Sequence, residues 1–500
     1  MHERAPQLAQ KRISWVASTF CLGFLILTIV LADSPPAAAL PLFKANVYAI
    51  PAFARKYGMP CSSCHEAWPK LSPFGQSFKD NGYQMGNDRD APIFQQPAYW
   101  PATFRITPIW HRESLGRVGV DGPGGTTVEQ RITTHGFDWT GLDFHTGGTL
   151  AKNVSFYVLP SSDNTGAFHF ESVWARLDNL LGSTWLNIKL GKFELDNLHS
   201  EKRILTLTNL AGFYENYHFQ PPGESFYKFG IGDNQVGAEW LGHSKDDRTR
   251  VSAALLNSND GQPSFSTNNG AINAAAPFAT GRAYDGFFTA SRAFQAGSLG
   301  VQRVGGFAFI GRAPTFSQFT QFNTPGGGLI TGTGIGNKGF YRAGLIGMWY
   351  VRKLDITTIY FHGWDSAFLG TNTPANVALP AGAHAPTWNG GLFETHYNFN
   401  PQLILINRYE LVRMSRQAAP IVPGSVGLTT AAGIVTGVPS SDFGNLDQLT
   451  FGYRYYPFIS SRAGFAFHNE FSIVRFRKMA PISGADVTDS SALVGFDFAF

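Results

Sequence analysis

Two cysteines and a histidine near the N-terminus carry the clearest chemical signal in this chain of 500 residues. Cys61, Cys64 and His65 form the pattern Cys-x-x-Cys-His. In c-type haem attachment, two thiols with this spacing add to the vinyl groups of the porphyrin, and the adjacent imidazole binds the iron from the proximal side. The pattern therefore predicts one covalently bound haem c, held by Cys61 and Cys64 and ligated by His65.

Other sites use the same residue types, so the surroundings of the pattern decide between them. A zinc site needs a third and a fourth thiolate or imidazole at ligand spacing, and the neighbouring sequence offers none. A redox-active dithiol of the thioredoxin kind needs a βαβ context, which this glycine-rich segment lacks. A chance spacing is the remaining alternative. Haem attachment is the interpretation that uses all three side chains.

The sequence also offers candidates for the second axial ligand of such a haem. Met85 is the methionine that follows closely downstream, and a thioether ligand raises the reduction potential relative to a second histidine. Met59 lies too close to the attachment pattern to reach around the ring easily, and His111 begins the following region. We expect Met85 to bind the iron, with an open or histidine-ligated site as the alternative.

A short helix is predicted directly after the attachment pattern. Ser72 can cap a helix that the next residue, a proline, begins, and Gly82 can end it. Phe74 and Phe78 would share one face of this helix, which suits either the edge of a haem or an ordinary core. Gly75 would allow another surface to approach the helix closely.

The N-terminus has the organisation of a secretory signal peptide. Basic residues precede an apolar run from 13 to 32, and an Ala-x-Ala site ends at Ala39. A retained N-terminal anchor is the alternative, because the run is long enough to span a membrane. We assign residues 1–39 to the signal peptide, which would include the third cysteine, Cys21.

The composition excludes several classes of protein. Charged residues make up only 15% of the chain, while aromatic residues reach 14%, which is unusual for a soluble enzyme. After residue 32 there is no apolar run of about 18 residues, so a bundle of membrane helices is excluded. The formal net charge of +4 is too small to indicate a nucleic-acid partner.

From about residue 102 the side chains alternate between apolar and polar with a period of two, which predicts β-strands. Near the C-terminus, for example, Val494, Phe496 and Phe498 alternate with Gly495 and Asp497. Sixteen such segments are predicted. They begin near residues 102, 133, 153, 167, 183, 235, 249, 285, 299, 339, 354, 387, 403, 447, 463 and 491.

Short connections alternate with long ones between these segments, as in bacterial outer-membrane barrels. The chain ends on Phe500, and aromatic residues lie at segment ends, namely Trp110, Trp174, Trp349 and Trp364. A soluble β-sandwich is the alternative, because each transmembrane strand is a weak signal by itself. We predict an all-β fold: a 16-stranded antiparallel transmembrane β-barrel with a small N-terminal, mainly helical monohaem c-type cytochrome segment.

This architecture predicts a location in the bacterial outer membrane, in contact with its lipid and with both termini on the periplasmic side. Residues 40–98 form the predicted haem segment, and residues 99–500 form the barrel. The haem segment starts on the periplasmic side, so it either lies below the barrel or folds into the bore. A barrel of this size has room for a channel or a plug.

The stretch from residue 53 to residue 85 closely resembles the fused cytochrome-porin family of outer-membrane iron oxidases. The matching positions are Phe53, Ala54, Arg55, Cys61, Cys64, His65, Pro69, Leu71, Phe74, Gly75, Phe78, Lys79, Gly82 and Tyr83. The dense match covers this stretch only, while the order of signal peptide, monohaem segment and barrel agrees along the whole chain. The resemblance implies transfer of electrons from extracellular iron(II) to a periplasmic c-type cytochrome.

Three functions stay open at this point. The first is an electron conduit from iron(II), or another extracellular redox donor, to a periplasmic cytochrome, which would make the chain an iron:cytochrome c oxidoreductase. The second is a diffusion porin with a haem-bearing plug, and the third is an outward conduit to extracellular acceptors. Asp80, Asp88 and Asp90 follow the predicted helix, but a solvated loop explains them at least as well as an iron(II) site does.

Overall fold

The structure is a computed structural model. It describes residues 52–67, 70–85, 90–95, 102–162, 166–195, 234–257, 284–314, 320–323, 329–332, 337–371, 373, 378–418, 429–430, 433–434, 442–457, 464–480 and 482–499. These residues belong to one compact unit, Ile50–Phe500. The predicted signal peptide and the terminal Phe500 lie outside the described residues. Among the described residues, no helix is long and apolar enough to cross a membrane.

Short elements precede the barrel, and we refer to residues 52–95 as the N-terminal segment. The elements are helix α1 (Ala52–Tyr57), a 3₁₀ turn (Cys61–Ser63), strands β1 (His65–Ala67) and β2 (Lys70–Leu71), and helix α2 (Pro73–Asp80). Ser72 caps α2 as the sequence predicts, because its Oγ accepts a hydrogen bond from the Gly75 N–H at 3.1 Å. Gly82 follows the end of α2 with a φ of +72°, a backbone conformation that favours glycine.

Sixteen strands form one closed antiparallel barrel. Each strand pairs with the next barrel strand along the chain, and the last strand pairs with the first to close the ring. The strands are β3 (Ala102–Asp121), β4 (Thr127–Ala151), β5 (Val154–Ser162), β6 (Phe168–Leu177), β7 (Asn187–Phe193), β8 (Gln235–His243), β9 (Thr249–Asn257), β10 (Tyr284–Gln295), β11 (Val301–Pro314), β14 (Asn337–Val351), β15 (Leu354–Asp365), β16 (Thr387–Asn398), β17 (Leu403–Arg416), β20 (Leu446–Tyr455), β21 (Phe465–Phe476) and β22 (Val487–Ala499).

Smaller elements lie in the connections between barrel strands. Two hairpins pair β12 (Thr320–Asn323) with β13 (Leu329–Gly332) and β18 (Thr429–Thr430) with β19 (Gly433–Ile434). A single helical turn, α3 (Ala367–Gly370), follows β15, and 3₁₀ turns occur at Pro123–Gly125, Leu180–Gly182 and Gly297–Leu299. None of these elements takes part in the closed ring.

The prediction of sixteen antiparallel strands is confirmed, and most predicted starts differ from the observed ones by two residues or fewer. The larger differences concern β4, which begins at Thr127 rather than near 133, β7, which begins at Asn187 rather than near 183, and β22, which begins at Val487 rather than near 491. The β3–β4 ladder continues as far as the pair Asp121 and Thr127. Backbone pairing in this hairpin therefore extends past the region where the side chains alternate.

Alternation along the strands places apolar side chains outside and polar side chains inside the ring. On β22, Val494 is 50% exposed while Asp497 is fully buried, and on β16, Phe393 is exposed while Glu394 is buried. Large apolar side chains are exposed on other strands too: Phe104, Leu190, Leu255, Phe288, Leu345, Tyr360, Phe451 and Phe467. A soluble sandwich would bury such faces between two sheets, so the closed ring excludes that alternative.

Trp174, one of the tryptophans at the predicted segment ends, faces the bore rather than the lipid. Trp174 is buried, and its ring stacks on Tyr83 of the N-terminal segment with 6.1 Å between the ring centroids. On β6, Trp174 shares the inward face with Arg176, because side chains two residues apart point to the same side of a strand. The tryptophan thus belongs to the bore.

Replacing Leu345 by Arg tests the outward apolar face. Leu345 is 66% exposed near the middle of β14. A cation at the bilayer midplane should lower the free energy of unfolding by about 2–4 kcal/mol, because its charge enters hydrocarbon. Equilibrium denaturant unfolding of the barrel in lipid vesicles measures this loss. Ile132→Arg, on the β3–β4 hairpin beyond the end of β5, is the control and should cost less than about 1 kcal/mol. Equal losses would contradict a membrane at the level of Leu345.

Candidate functional site

The attachment pattern is arranged by one tight turn followed by a strand. Pro60 is extended and precedes the 3₁₀ turn, in which the Cys64 N–H donates to the Cys61 carbonyl at 3.1 Å. His65 then begins β1, and its backbone pairs with Leu71 of β2. The turn brings the two cysteines close together in space, and the imidazole follows from an extended backbone directly after the second cysteine.

Helix α2 packs against the backbone of the second cysteine. The Ser72 N–H donates to the Cys64 carbonyl at 2.8 Å, and Ser72 Oγ donates to the Ser63 carbonyl at 3.1 Å. A Cβ atom added at Gly75 would lie 1.9 Å from the Cys64 carbonyl oxygen. Only a residue without a side chain fits at this contact. The prediction that Gly75 allows a close approach is confirmed, and the surface that approaches is the attachment turn itself.

The two cysteine side chains are thiols that are not joined to each other in a disulfide. Burial, and next the neighbouring Cys61, raise the pKa of the Cys64 thiol to about 11. A redox-active dithiol has a lowered thiol pKa, so this environment does not match one. Two thiols followed at once by an imidazole are the donor set that haem c requires, so the residues present fit this group.

An aromatic cluster lies within the N-terminal segment. The ring of Phe53 stacks on Tyr83 with 4.7 Å between centroids and meets Phe78 edge-on at 5.2 Å. Phe78 and Tyr83 are buried, and Tyr57 meets Phe78 edge-on at 5.3 Å. Phe74, which was expected to share a face with Phe78, is instead 41% exposed. The cluster is an apolar surface of the kind that can cover a haem edge.

Met59 and Met85 pack against the large apolar core to which Tyr57, Phe78 and Tyr83 belong together with residues of the barrel wall. The Met85 N–H also donates to Asp90 Oδ1 at 2.8 Å, which fixes the backbone at this position. His111, the other residue considered as a distal ligand, lies on β3 in the barrel wall and pairs with Leu493. Assignment of the distal ligand to Met85 stays a prediction.

The β1–β2 hairpin is fixed to one wall of the barrel by charge and by apolar packing. Lys70 is buried, and its Nζ lies 2.7 Å from Asp355 Oδ2 on β15 and 3.4 Å from His396 Nδ1 on β16. It also pairs with Glu66 at 3.1 Å. Burial alone would lower the pKa of Lys70, but Glu66 and Asp355 together raise it above its ordinary value. Ala67 packs beside this contact in a buried cluster with Ile404, Ile406, Tyr456 and Ala466.

Helix α2 is fixed to a second part of the wall through its C-terminal end. Arg176 on β6 donates to the Lys79 carbonyl at 2.8 Å and to the Asp80 carbonyl at 3.0 Å. A cation at this position satisfies helix carbonyls that lack intrahelical partners. Arg250 on β9 pairs with Asp80 at 2.7 Å, and Ser77 donates to Asp247 at 2.8 Å. The helix therefore has at least three polar contacts to the barrel.

The N-terminal segment contacts opposite sides of the barrel. Around the ring of sixteen strands, β15 and β16 are eight places away from β5 and β6. The N-terminal segment contacts β15 and β16 through Lys70, and it contacts β5 and β6 through the packing of Tyr83 on Tyr157 and Trp174. The wall residues involved face inward. The N-terminal segment thus crosses the bore, rather than lying below the barrel.

The contacts are concentrated at the end of the bore where the short turns lie. Asp355 lies near the start of β15, directly after the turn formed by Arg352 and Lys353, and Arg176 lies near the end of β6. The first strand, β3, begins where the last strand, β22, finishes, because Ala499 pairs with Arg105. The chain therefore enters and leaves the barrel on the same side. Short turns and chain termini mark the periplasmic end of an outer-membrane barrel.

Charged side chains on the inward faces of the strands are buried and contact one another. Ion pairs join Lys189 with Glu239, Arg342 with Asp365, Glu394 with Arg408, and Arg454 with Asp497, while Glu470 is in hydrogen-bond contact with His468. The predicted polar inner face is therefore confirmed. Because these charges are matched with each other, they do not by themselves indicate which ions would enter the bore.

The acidic residues after α2 have structural partners where the structure describes them. Asp80 pairs with Arg250, and Asp90 accepts hydrogen bonds from the Tyr57 hydroxyl at 2.7 Å and from the Met85 N–H. Asp88 lies outside the described residues. Within the described part of the chain, no group of three or more His, Cys, Asp or Glu side chains is arranged to hold a metal ion.

Sequence reasoning missed Lys70 and Arg176, which hold the N-terminal segment in place. Arg176 could have been placed on an inward face by the alternation of β6, and Lys70 is adjacent to the matched motif. Neither signal identifies the partner, because the contacts join residues that are far apart in the chain. From Lys70 to Asp355 the sequence separation is 285 residues.

Replacing Gly75 by Ala tests the close contact between α2 and Cys64. The added methyl group would overlap the Cys64 carbonyl, so we expect α2 to be displaced and the N-terminal segment to become sensitive to protease. The barrel should keep its heat-modifiable mobility in gels, because no barrel strand changes. Gly136→Ala makes the same chemical change on β4, where a Cβ meets nothing within 4 Å. Equal protease resistance of the two variants would contradict the contact.

No protein-family model and no curated protein matches this chain. Several solved structures of bacterial outer-membrane proteins are similar to it. OmpT of Vibrio cholerae is 10% identical with a TM-score of 0.41, covering 80% of this chain and 97% of that chain. The outer membrane channel DcaP of Acinetobacter baumannii gives the same four values. OprB of Pseudomonas putida is 7% identical with a TM-score of 0.45, covering 79% of this chain and 94% of that chain.

These similarities are too distant to carry an argument, so the assignment rests on the barrel itself. A closed ring pairs the backbone groups of every strand, which is the condition for crossing a bilayer with β-strands. The outside is apolar and exposed, and the inside carries buried charges. The chain is therefore a bacterial outer-membrane β-barrel with the architecture of a porin.

Proposed function

We propose that this protein carries electrons across the outer membrane through one haem c, bound covalently by Cys61 and Cys64 with His65 as the proximal ligand. Electrons enter from extracellular iron(II) and leave to a periplasmic c-type cytochrome. The observation that supports this most strongly is the position of the Cys-x-x-Cys-His pattern in a segment fixed to opposite walls of the bore. A donor from outside and a carrier from the periplasm can approach this segment from its two sides.

Three side chains of the pattern have distinct roles in the proposal. Cys61 and Cys64 hold the group covalently, so it stays in the barrel through every turnover. His65 binds the iron, and Met85 is the proposed ligand on the other side. When bound, the haem supplies one-electron chemistry, because its iron alternates between the ferrous and ferric states.

The remaining residues of the segment keep the site in place and exclude water. The aromatic cluster around Phe78 offers an apolar cover, which lowers the local polarity and so influences the reduction potential. Gly75 lets α2 pack directly on the Cys64 backbone. Lys70 and Arg176 hold the segment from opposite sides, so that its distance from each mouth of the bore is constant. Constant distances favour efficient electron transfer to and from one fixed centre.

The barrel supplies the passage through the lipid. The hydrocarbon core of a bilayer is about 30 Å thick, and a charged donor does not enter it. A bore lined by ion-paired side chains offers a hydrated donor a polar environment instead. The reaction class that follows is iron:cytochrome c oxidoreduction. Iron(II) outside loses one electron, and the periplasmic cytochrome gains it.

A diffusion porin is the second candidate, and the architecture of the barrel favours it. Sixteen-stranded porins leave an aqueous channel, and nothing in the strands of this barrel prevents one. The N-terminal segment argues against free diffusion, because it has contacts on opposite walls. Planar-bilayer conductance distinguishes the two functions. A large open conductance of the complete protein, with no electron flux that depends on haem, would favour the porin.

Variants of the axial ligands test the haem assignment. His65→Ala should abolish reversible haem reduction while the barrel still assembles, because His65 belongs to no barrel strand. Met85→Ala should shift the haem absorbance and lower the reduction potential, because a thioether ligand raises it. Met59→Ala is the matched control, since Met59 is a methionine of the same segment that packs against the same apolar core. A shift in the Met59 variant alone would transfer the distal role to Met59.

Stopped-flow absorbance on oriented vesicles tests the direction and the donor. The protein is reconstituted so that the long loops face outward, and iron(II) is added only outside. Fast reduction of the ferric haem, followed by reduction of a c-type cytochrome trapped inside, is expected. Vesicles with the His65→Ala variant are the control for leakage. A haem that ignores iron(II) but passes electrons outward from the trapped cytochrome would contradict iron oxidation and indicate an outward conduit.

A further inference from the structure

Basic side chains are concentrated on one sector of the periplasmic rim. The turns between β8 and β9, between β10 and β11, and between β14 and β15 are neighbours around the ring, because β8 to β11, β14 and β15 are consecutive in it. Five exposed basic residues lie in or beside these turns: Lys245, Arg248, Arg292, Arg352 and Lys353. We refer to these five residues as the basic arc.

Few acidic groups oppose the basic arc. Asp246 is exposed and lies 3.5 Å from Arg248, so it offsets part of one charge. Asp247 pairs with Arg250, and Asp355 pairs with Lys70 inside the bore, so both are already neutralised. The sector therefore presents a strong excess of positive charge to the periplasm, although the whole chain carries a net charge of only +4.

The other described periplasmic turns differ in character. The turn between β6 and β7 exposes Leu181 and Trp185, and the turn between β16 and β17 exposes Phe399. Among the described residues of these turns and of the one between β4 and β5, the exposed charge is Lys152. A rim that simply met lipid headgroups would be expected to carry basic residues all around the ring, so the restriction to one sector favours a partner of limited size.

The basic arc borders the N-terminal segment. Asp247 is in the same turn as Lys245 and Arg248, and it accepts a hydrogen bond from Ser77 of α2. Asp355 follows Arg352 and Lys353 by a few residues and contacts Lys70 of the hairpin. The basic residues of the arc and the acidic residues that hold the N-terminal segment therefore lie in or next to the same turns. A protein seated on the basic arc would lie beside the segment at the periplasmic mouth.

From these observations we propose that the basic arc is a docking surface for a small periplasmic electron carrier with an acidic face. The inference rests on the proposed function, because it names the partner surface through which the electron leaves. Charge complementarity of this kind raises association rates and orients the partner, and it weakens as salt screens the charges. Binding should therefore be fast and strongly dependent on ionic strength, as a carrier that must dissociate after each transfer requires.

Binding to the complete holoprotein in phosphatidylcholine nanodiscs tests the docking surface. The probe is a small acidic c-type cytochrome, and a lysine-rich mitochondrial cytochrome c is the comparison of opposite charge. Interferometry on immobilised nanodiscs gives the Kd as a function of salt concentration. We expect the acidic cytochrome to bind and its Kd to rise steeply with salt. Equal binding of the basic cytochrome would overturn the proposal.

Two triple variants separate the basic arc from overall charge. Lys245→Gln/Arg248→Gln/Arg352→Gln should weaken binding of the acidic cytochrome about tenfold at low salt. Arg112→Gln/Arg131→Gln/Lys152→Gln removes as many positive charges elsewhere and should change the Kd by less than about twofold. If the arc variant binds the acidic cytochrome like the wild type, the proposal fails. A smaller amount of phosphatidylglycerol copurified with the arc variant than with the wild type, measured before transfer to nanodiscs, would then assign the arc to lipid headgroups.

The haem content of the same samples keeps the two proposals apart. Interferometry measures binding whether or not electrons move, so it reports on docking alone. A protein without haem contradicts the proposed function directly. A protein with haem whose arc variant binds the acidic cytochrome as tightly as the wild type contradicts only the docking surface.

Discussion

The backbone pairing of β22 with β3 is the constraint on which the rest of the structure depends. Hydrocarbon offers no hydrogen bonds to a strand edge, so the sheet must close before it can span the membrane. Closure of sixteen strands leaves an interior too wide for wall side chains alone to fill. That interior can hold an aqueous channel or additional protein. Here residues 52–95 supply additional protein that reaches from one wall to the other.

The ion pairs and hydrogen bonds of buried charged residues fix the position of this segment in the bore. Apolar packing alone would not specify that position. Lys70 and Arg176 are almost fully buried, and each contacts the opposing element through several polar groups. Removing one partner of such a buried pair typically costs about 3–5 kcal/mol, because the other charge stays desolvated. The segment therefore has one favoured position in the bore. The attachment turn, which packs on α2, is held in that position too.

The sequence predicted the barrel well because a period of two is a local signal. Alternation around Val494 or Phe393 shows which side chains face lipid, without knowledge of any distant residue. The attachment pattern is equally local, since Cys61, Cys64 and His65 are nearly adjacent. The inward direction of the Trp174 side chain was not predicted, because in the sequence an aromatic residue near a strand end looks the same whether it faces lipid or the bore. The contacts of Lys70 and Arg176 connect residues about a hundred or more positions apart, which no local pattern reveals.

The molecule combines a transmembrane wall, an internal segment and a charged rim. The wall separates two aqueous compartments, and the segment places a haem-attachment pattern between them. The basic arc is beside that segment on the periplasmic side. Each part has a separate structural cause, namely strand pairing, buried ion pairs and the residues of three adjacent turns. The proposed transfer of electrons through the bore would use all three.

Covalent attachment of haem to the segment is the central claim, and intact-protein mass spectrometry tests it most directly. The mature protein, isolated from membranes of cells with a c-type cytochrome maturation system, is extracted with acidic acetone, which removes haem that is not covalently bound. The account predicts a chain that retains the mass of one haem and its pyridine haemochrome absorbance, and a Cys61→Ala/Cys64→Ala protein that retains neither. A colourless wild-type chain with two titratable thiols would contradict the account.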